Sequence, residues 1–252
     1  MSLSQHVTVP VHVGEENPAA ENPTAGISMW RAFQTTKLYD LLAAIPLIAW
    51  FIYCMRLQLA GVVAQIQRAT PNTIDFQFAV FLLAQIAAFF FVFVVFVLVV
   101  LRRPAGAKAR GLMPRFFAFA GAYLGFGIVA LPQHELGTTL SLVSLLLILG
   151  GVGYSIFAIL HLGRSFSVMA EARRLVIDGP YAAVRHPLYL GEAISTLGLV
   201  LQYISPAAIL VAAVQFAFQL KRMQNEERVL SNMFPEYAAY ASRTARLMPG
   251  IY

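Results

Sequence analysis

Charged residues are scarce in this chain. They make up 12% of its 252 residues, whereas apolar residues make up 59% and the mean hydropathy is +0.69. This composition excludes an ordinary soluble domain and is typical of a protein that crosses a membrane several times. A single cysteine, Cys54, excludes an intramolecular disulfide. The net charge of +6 does not predict a nucleic-acid partner, because the basic residues stand in short segments between apolar runs.

The apolar runs predict an all-α, multi-spanning transmembrane helical bundle of about six helices. Residues 1–28 lack the basic start and apolar core of a signal peptide, so we expect a disordered polar tail there. Residues 29–162 are expected to hold transmembrane helices 1–4. Residues 163–252 are expected to hold the functional region, with helices 5 and 6 and a cytoplasmic C-terminal helical segment.

Two short sequences bear on how the helices pack. The segment Ile204-Ser205-Pro206 allows only a tight turn between the last two apolar runs, so we expect helices 5 and 6 to form an antiparallel hairpin. Gly150, Gly151 and Gly153 stand in the fourth run, where small residues allow a close helix contact.

Lysine and arginine are almost absent from the loops after the first and third apolar runs. They are concentrated after the second and fourth runs and in the C-terminal segment. Because cytoplasmic loops of membrane proteins carry an excess of these residues, both termini are predicted to be cytoplasmic. The same rule predicts a cytoplasmic position for the polar cluster described next.

A polar cluster runs directly into the fifth apolar run. Arg185 and His186 immediately precede Pro187, a residue suited to the first turn of a helix. Glu192 follows within two turns of that helix. An ionisable group in an apolar helix is costly unless it faces a cavity or a partner, so this cluster is a candidate functional site.

A second polar group lies on the sixth predicted helix. Gln215, Gln219, Arg222 and Glu226 are spaced four, three and four residues apart, which puts them on one helical face. A solvated face explains the two charged residues but not the two glutamines, which fall within the apolar part. The pattern predicts a half-buried cavity that opens to water at one end and to lipid at the other.

Two blocks of this sequence carry a family resemblance. Residues 179–191 have the pattern G-x-Y-x-x-x-R-H-P-x-Y-x-G, and a second block extends from Arg222 through Glu226-Glu227 to Pro249. Together they resemble the isoprenylcysteine carboxyl methyltransferase and phospholipid methyltransferase superfamily. The resemblance covers about residues 162–249. It implies an integral-membrane enzyme that transfers a methyl group from S-adenosylmethionine to a lipophilic substrate entering from the bilayer.

The resemblance also implies where the cofactor binds, namely in a cytoplasm-facing pocket that the C-terminal segment closes. By position, the cofactor site would comprise Glu171, Arg173, Arg174, Leu175, Val176, Tyr181, His186, Pro187, Leu188, Tyr189 and Glu226. Carboxyl methyltransferases of the family have His-x-Leu-Val where this chain has Arg173-Arg174-Leu175-Val176. This departure leaves specificity for a prenylcysteine open.

The remaining candidate residues concern catalysis and the acceptor. Arg222 and His186 are the predicted catalytic residues, and Arg222, Glu192 and Gln219 are predicted to bind the substrate. A guanidinium binds carboxylates and phosphates bidentately, which suits Arg222 to an anionic acceptor. An amine acceptor would also need a base, for which His186 and Glu192 are candidates. No metal site is predicted.

Several alternatives stay open. Membrane sterol reductases resemble the same C-terminal half and use NADPH, whose 2′-phosphate Arg173 and Arg174 could hold. A phospholipid N-methyltransferase would share the methyl donor but take an amine acceptor. A transporter or scaffold is less favoured, because no internal repeat is found. The acceptor can therefore be a carboxylate, an amine or a thiol, and the oligomeric state is open.

Overall fold

The computed structural model describes residue 33 and residues 36–71, 74–109, 111–132 and 136–250. The predicted tail at residues 1–28 lies outside the described residues. The described chain is mostly helical, with the α-helices α1 (Lys37–Arg68), α2 (Phe76–Leu101), α3 (Leu112–Tyr123), α4 (Thr138–Leu162), α5 (Pro187–Gln202), α6 (Pro206–Met233) and α7 (Tyr237–Ala241).

Short elements complete the chain. A 3-10 helix, Leu124–Ala130, continues α3, and two further 3-10 turns are formed by Gly163–Ser165 and Gly179–Ala182. Two-residue strands, β1 (Ala107–Lys108) and β2 (Glu171–Ala172), pair in antiparallel register. This small sheet joins the connection after α2 to the connection after α4, so it stands on the polar side of the bundle.

Local sequence sets where several helices begin. The side chains of Thr36, Asp75 and Ser205 each accept a hydrogen bond from a backbone N–H in the first turn of α1, α2 and α6. These caps satisfy donors that have no partner inside the helix. Pro187 and Pro206 occupy the first position of α5 and α6, where a missing N–H costs nothing.

The expected all-α, multi-spanning class is confirmed. Four helical stretches of the described chain are long and apolar enough to cross a membrane: Lys37–Arg68, Phe76–Leu101, Leu112–Ala130 and Thr138–Ser165. The count of six spans stays a prediction. The α5 helix has 16 residues, fewer than a spanning helix usually needs, and α6 carries charged residues from Lys221 onward.

The closest helix contact in the molecule joins α4 and α5. A Cβ atom at Gly198 would stand 2.7 Å from the carbonyl oxygen of Ser144, and one at Gly151 would stand 2.4 Å from the backbone nitrogen of Ser195. Gly151 therefore has the packing role that the sequence predicted, whereas Gly150 and Gly153 have open space around them. The Ser144 hydroxyl donates to the carbonyl of Gly198 across this contact, at 2.8 Å.

The predicted hairpin of the last two helices is present as a short connection, residues 203–205. Its two helices nevertheless pack mainly against other elements: α5 against α4, and α6 against α3 and the 3-10 helix that follows α3. A Cβ atom at Gly121 of α3 would stand 3.4 Å from the backbone of Phe218 and Gln219, which explains how closely α6 approaches there.

One carboxylate fastens the first two helices to the polar connection. Asp40 of α1 is buried and accepts a hydrogen bond from Arg102 Nε at 2.8 Å, at the end of α2. Its other oxygen accepts from Arg173 Nη2 at 3.2 Å. Arg173 also donates to Glu171 of β2. The network thus ties two membrane helices to the strand that follows α4.

The α4–α5 contact gives the first testable prediction. Gly198→Ala should lower the free energy of unfolding by about 1–3 kcal/mol, because the new methyl group meets backbone atoms that cannot turn away. Gly150→Ala is the matched control on α4, and it should leave stability equal or slightly higher since nothing lies within 4 Å. Thermal unfolding in detergent micelles measures both. Equal stability of the two variants would contradict the proposed contact.

Candidate active site

A polar pocket lies where the connection between α4 and α5, the polar part of α6 and the C-terminal segment meet. It encloses about 760 Å³ of space, part of it open to solvent. This size is within the range of small-molecule sites. Ten of the eleven residues that the family resemblance assigns to the cofactor site line it: Glu171, Arg173, Arg174, Leu175, Val176, Tyr181, His186, Leu188, Tyr189 and Glu226.

The eleventh residue, Pro187, does not line the pocket. It is buried at the start of α5 and orients the helix that carries Leu188 and Tyr189. Arg173, for which the chain departs from the family pattern, does line the pocket. The roles of all these residues as cofactor ligands stay predictions, although the structure brings them together.

The turn before α5 is shaped by Gly179. This residue has φ +56°, a conformation that favours glycine, and a Cβ atom there would also stand 2.3 Å from the ring of His161. The Gly179–Ala182 turn that follows buries Tyr181 against the pocket. The first glycine of the sequence signature is therefore explained by backbone conformation and by close packing.

The C-terminal segment runs along one wall of the pocket. Backbone N–H groups of Arg185 and His186 donate to the carbonyl oxygens of Ala245 and Arg246, at 2.8 and 3.1 Å. The Tyr240 hydroxyl donates to the carbonyl of Tyr181 at 2.7 Å. These bonds hold residues near the chain end directly against the signature.

Tyr237 and Tyr240 also line this pocket, yet the sequence did not identify them as site residues. They stand in the second sequence block, where each alone resembles an interfacial aromatic. Their position in that block, shortly after the end of α6 at Met233, could have identified them.

Glu227 is the charged centre of the C-terminal contact. Its carboxylate accepts from Arg246 Nε and Nη2, at 3.0 and 2.7 Å, and lies 3.1 Å from His186 Nε2 and 3.4 Å from Arg185 Nη1. Burial acts to raise the pKa of Glu227, but the hydrogen bonds from His186 and Arg246 and the nearby charges lower this pKa to about 2. Glu227 therefore stays ionised and holds the segment closed.

Three side chains gather around Tyr189, which lines the pocket. The Tyr189 hydroxyl donates to the Glu226 carboxylate. The Arg222 guanidinium carbon lies 4.7 Å from the centroid of the Tyr189 ring, and Arg222 Nε lies 3.3 Å from Glu226 Oε1. The His186 ring is stacked on Tyr189 with centroids 5.5 Å apart. The two predicted catalytic residues thus both lie against the ring of Tyr189.

Several buried polar atoms in the pocket wall have no partner among the described residues. They include Nε and Nη1 of Arg173 and the hydroxyl of Tyr181. Burial raises the pKa of Tyr181 well above its usual range, so this hydroxyl is a hydrogen-bond donor at any physiological pH. Unpaired buried donors are costly, and they suit a polar ligand with oxygen or nitrogen acceptors.

Two apolar cavities lie on the far side of Leu188, which borders both the polar pocket and the nearer cavity. The nearer cavity has about 440 Å³ and contains Arg222, and the wider one has about 960 Å³ and contains Gln215. Glu192 lines both. Phenylalanine side chains dominate the rest of the nearer wall, so the cavities suit a lipid chain.

The predicted substrate residues meet at this point. Gln219 Nε2 donates to Glu192 Oε2 at 2.8 Å, and Gln219 itself lines neither cavity. Arg222 Nη2 donates to the carbonyl of Val168 at 2.9 Å, while its buried Nη1 has no partner in the described part of the chain. Gln219 therefore positions Glu192, and Arg222 offers a free donor at the entrance to an apolar space.

Comparison with known proteins bears on the same region. Residues 137–237 match the family model described as phospholipid methyltransferase. The Protein-S-isoprenylcysteine O-methyltransferase B of Arabidopsis thaliana is 35% identical over 99 residues, which are 36% of this chain and 50% of that relative. The superfamily resemblance predicted from the two sequence blocks is confirmed.

Two further relatives carry names that refer to metal resistance. The Cobalt-zinc-cadmium resistance protein CzcN of Cupriavidus metallidurans is 36% identical over 107 residues, 42% of this chain and 50% of the relative. The Nickel-cobalt-cadmium resistance protein NccN of Alcaligenes xylosoxydans xylosoxydans is 36% identical over 81 residues, 31% of this chain and 38% of the relative. The matched segments thus span about half or less of each curated relative.

The Glu227 contact predicts how stability depends on pH. Because its pKa is lowered on folding, Glu227 contributes stability that is complete above pH 4.5 and is lost as the pH falls toward about 2. Glu227→Gln should therefore melt at a lower temperature near neutral pH and lose less on acidification. Melting temperature in detergent against pH measures this. Glu236→Gln, at an exposed position, is the control, and a parallel pH response of the Glu227 variant and the unmodified protein would contradict the prediction.

Proposed function

We propose that this protein is an integral-membrane methyltransferase that transfers a methyl group from S-adenosylmethionine to a lipophilic acceptor entering from the bilayer. One observation carries the proposal: a polar pocket and an apolar cavity adjoin at Leu188, with Tyr189 and Arg222 between them. A water-soluble donor and a lipid acceptor need two such spaces that share a wall. Methyl transfer is an in-line displacement, so alignment of the two molecules supplies much of the acceleration.

The polar pocket provides groups for each part of the donor. The buried donors of Arg173 suit its carboxylate, and the Glu226 carboxylate suits its ribose hydroxyls. When bound, S-adenosylmethionine supplies an electrophilic methyl group on a cationic sulfonium. Tyr181 lines the pocket, and its aromatic ring suits a cation. Closure by the C-terminal segment keeps water from the reacting atoms.

The apolar cavity indicates an acceptor with a polar end and a lipid chain. Arg222 Nη1 is a buried donor without a partner, and it suits a carboxylate or phosphate on the acceptor. A carboxylate acceptor needs no base, since it is already a nucleophile when ionised. An amine acceptor would need one, and Glu192, held by Gln219, is in position for that role. We favour a carboxylate because the free donor belongs to Arg222.

We further propose that the polar pocket opens to the cytoplasm. The lysines and arginines of the connections after α2 and α4 stand on its side of the bundle, where β1 pairs with β2. The positive-inside rule assigns that side to the cytoplasm. The lipophilic acceptor would then come from the inner leaflet.

A reduced nicotinamide cofactor is the second candidate for the polar pocket. The specific observation behind it is that Arg173 and Arg174 both line the pocket, and two arginines could hold a 2′-phosphate. Arg173, however, already donates to Asp40 and Glu171, so much of its charge is neutralised. This pairing favours a ligand that carries one carboxylate over one that carries a doubly charged phosphate.

Cofactor choice is tested by protection against heat. S-adenosylhomocysteine should raise the melting temperature of the protein in detergent, whereas NADPH should not. Glu226→Gln should weaken S-adenosylhomocysteine binding about tenfold, because a charge-assisted hydrogen bond to ribose is lost. Gln224→Ala, at an exposed position of the same helix, should bind normally. Protection by NADPH alone would overturn the methyltransferase proposal.

The role of Arg222 is tested by turnover. With radiolabelled S-adenosylmethionine and a total lipid extract, Arg222→Lys should lower kcat/KM for the acceptor about a hundredfold, because lysine cannot reproduce the planar donor set. Binding of S-adenosylhomocysteine should stay within a few-fold. Lys221→Gln, an exposed neighbour, should retain full activity. Normal turnover in the Arg222 variant would exclude this residue from acceptor recognition.

A further inference from the structure

A second polar space lies beside the polar pocket. We call it the basic pocket. It encloses about 990 Å³, part of it open, between α1, the start of α3 and the β1–β2 pair. Its polar wall consists of Tyr39, Arg102, Lys108, Arg115 and Glu171. Nothing in the proposed methyl transfer uses this space.

The basic pocket carries an excess of positive charge. Arg102 is paired with Asp40, and Lys108 Nζ lies 3.6 Å from Glu171 Oε1. Glu171 is shared, however, since it also accepts a hydrogen bond from Arg173. Across the described residues, no ion pair is formed by Arg115, which is exposed. The wall therefore has capacity for an anion.

Lys108 is held over this space and remains accessible. Its ammonium lies 5.7 Å from the centroid of the Tyr39 ring, and its side chain is 40% exposed. A lysine in this position keeps at least one N–H free for a ligand, since the ammonium has three donors. Lys108 and Arg115 come from different elements, β1 and α3, and both line the same pocket.

The opposite wall is apolar and continues along a membrane helix. Ala43, Ala44 and Leu47 of α1 line it, near the start of a predicted span. At the start of α3, Leu112 and Met113 are 79% and 68% exposed, as expected for side chains that enter the membrane interface. The basic pocket thus combines cations with small apolar residues. An anionic lipid needs both, because its phosphate binds cations and its acyl chains contact apolar side chains.

We propose that the basic pocket binds the phosphate group of an anionic membrane lipid, with Lys108 and Arg115 as its ligands. The acyl chains would lie along the α1 wall at Ala43 and Leu47. A free phosphate would leave that wall uncovered. The proposal does not depend on the methyl-transfer reaction, because it rests on charge and on the position of the pocket at the membrane interface.

The basic pocket is also coupled to the polar pocket through one residue. Glu171 lines both, and it pairs with Lys108 on one side and with Arg173 on the other. A phosphate bound to Lys108 competes with Glu171 for that ammonium. Glu171 then interacts more fully with Arg173 and with the Ser167 hydroxyl, which donates to it at 2.8 Å. Bound lipid thereby stiffens the wall that holds Arg173.

The proposal is tested by lipid binding in nanodiscs, without measuring activity. One set contains phosphatidylcholine only, and the other contains one part in four of phosphatidylglycerol. The melting temperature of the unmodified protein should be higher with phosphatidylglycerol, and native mass spectrometry should detect that lipid retained on it. The Lys108→Gln, Arg115→Gln double variant should lose this increase and bind the lipid at least tenfold more weakly. No preference for phosphatidylglycerol would overturn the proposal.

Three further arms make the test specific. Lys221→Gln with Arg228→Gln removes the same charge from exposed positions of α6, and it should keep the lipid effect. If this control variant also lost the effect of phosphatidylglycerol, long-range electrostatic attraction would explain the effect. That result would overturn the proposal that the basic pocket binds the lipid. Lys108→Arg with Arg115→Lys should also keep the effect, since it preserves the charge. Soluble glycerol phosphate should raise the melting temperature of the unmodified protein less than phosphatidylglycerol does. An equal rise would contradict the proposal that the bound phosphate belongs to a lipid.

Discussion

The contact of Tyr189 with Glu226 and Arg222 is the constraint on which the candidate site depends. It joins the start of α5 to the polar part of α6, two helices that are otherwise only loosely packed against each other. Within an apolar bundle, a tyrosine hydroxyl, a carboxylate and a guanidinium can be buried together only if they satisfy one another. Tyr189, Glu226 and Arg222 interact in this way, and the polar pocket borders the nearer apolar cavity at Leu188. Loss of this contact would separate the two spaces that the proposed reaction needs.

A second set of buried charges supports the same site from the first half of the chain. Asp40 accepts from both Arg102 and Arg173, so one carboxylate of α1 fixes the end of α2 and the wall of the polar pocket. Removal of the Asp40 carboxylate would leave buried cations without compensation, which is more costly than never burying them. The first two membrane helices therefore do more than cross the membrane: they position part of the candidate cofactor site.

The sequence predicted the polar pocket better than it predicted the bundle around it. The signature and the stripe on α6 are local patterns, and periodicity alone brings Gln219, Arg222 and Glu226 to one face. Asp40 could not be identified in this way, because its contact with Arg173 joins residues 133 apart in the chain. Nor could the sequence distinguish Gly151 from Gly150 and Gly153, since the choice depends on how α4 is rotated toward α5. The number of membrane spans depends on whether α5 crosses the membrane, and its 16 residues are fewer than a spanning helix usually needs.

The arginine that departs from the family pattern can now be interpreted. Arg173 is fully buried between Asp40 and Glu171, and its remaining donors point to the polar pocket rather than to the apolar cavities. Two carboxylates balance its charge, so the wall offers hydrogen bonds without a large excess of positive charge. Asp40 of α1 thus compensates part of the positive charge of Arg173. The departure from the family pattern at Arg173 therefore bears on how the proposed methyl donor would be held in the polar pocket. It does not argue against a carboxylate acceptor, because the free donor of Arg222 in the apolar cavity is independent of it.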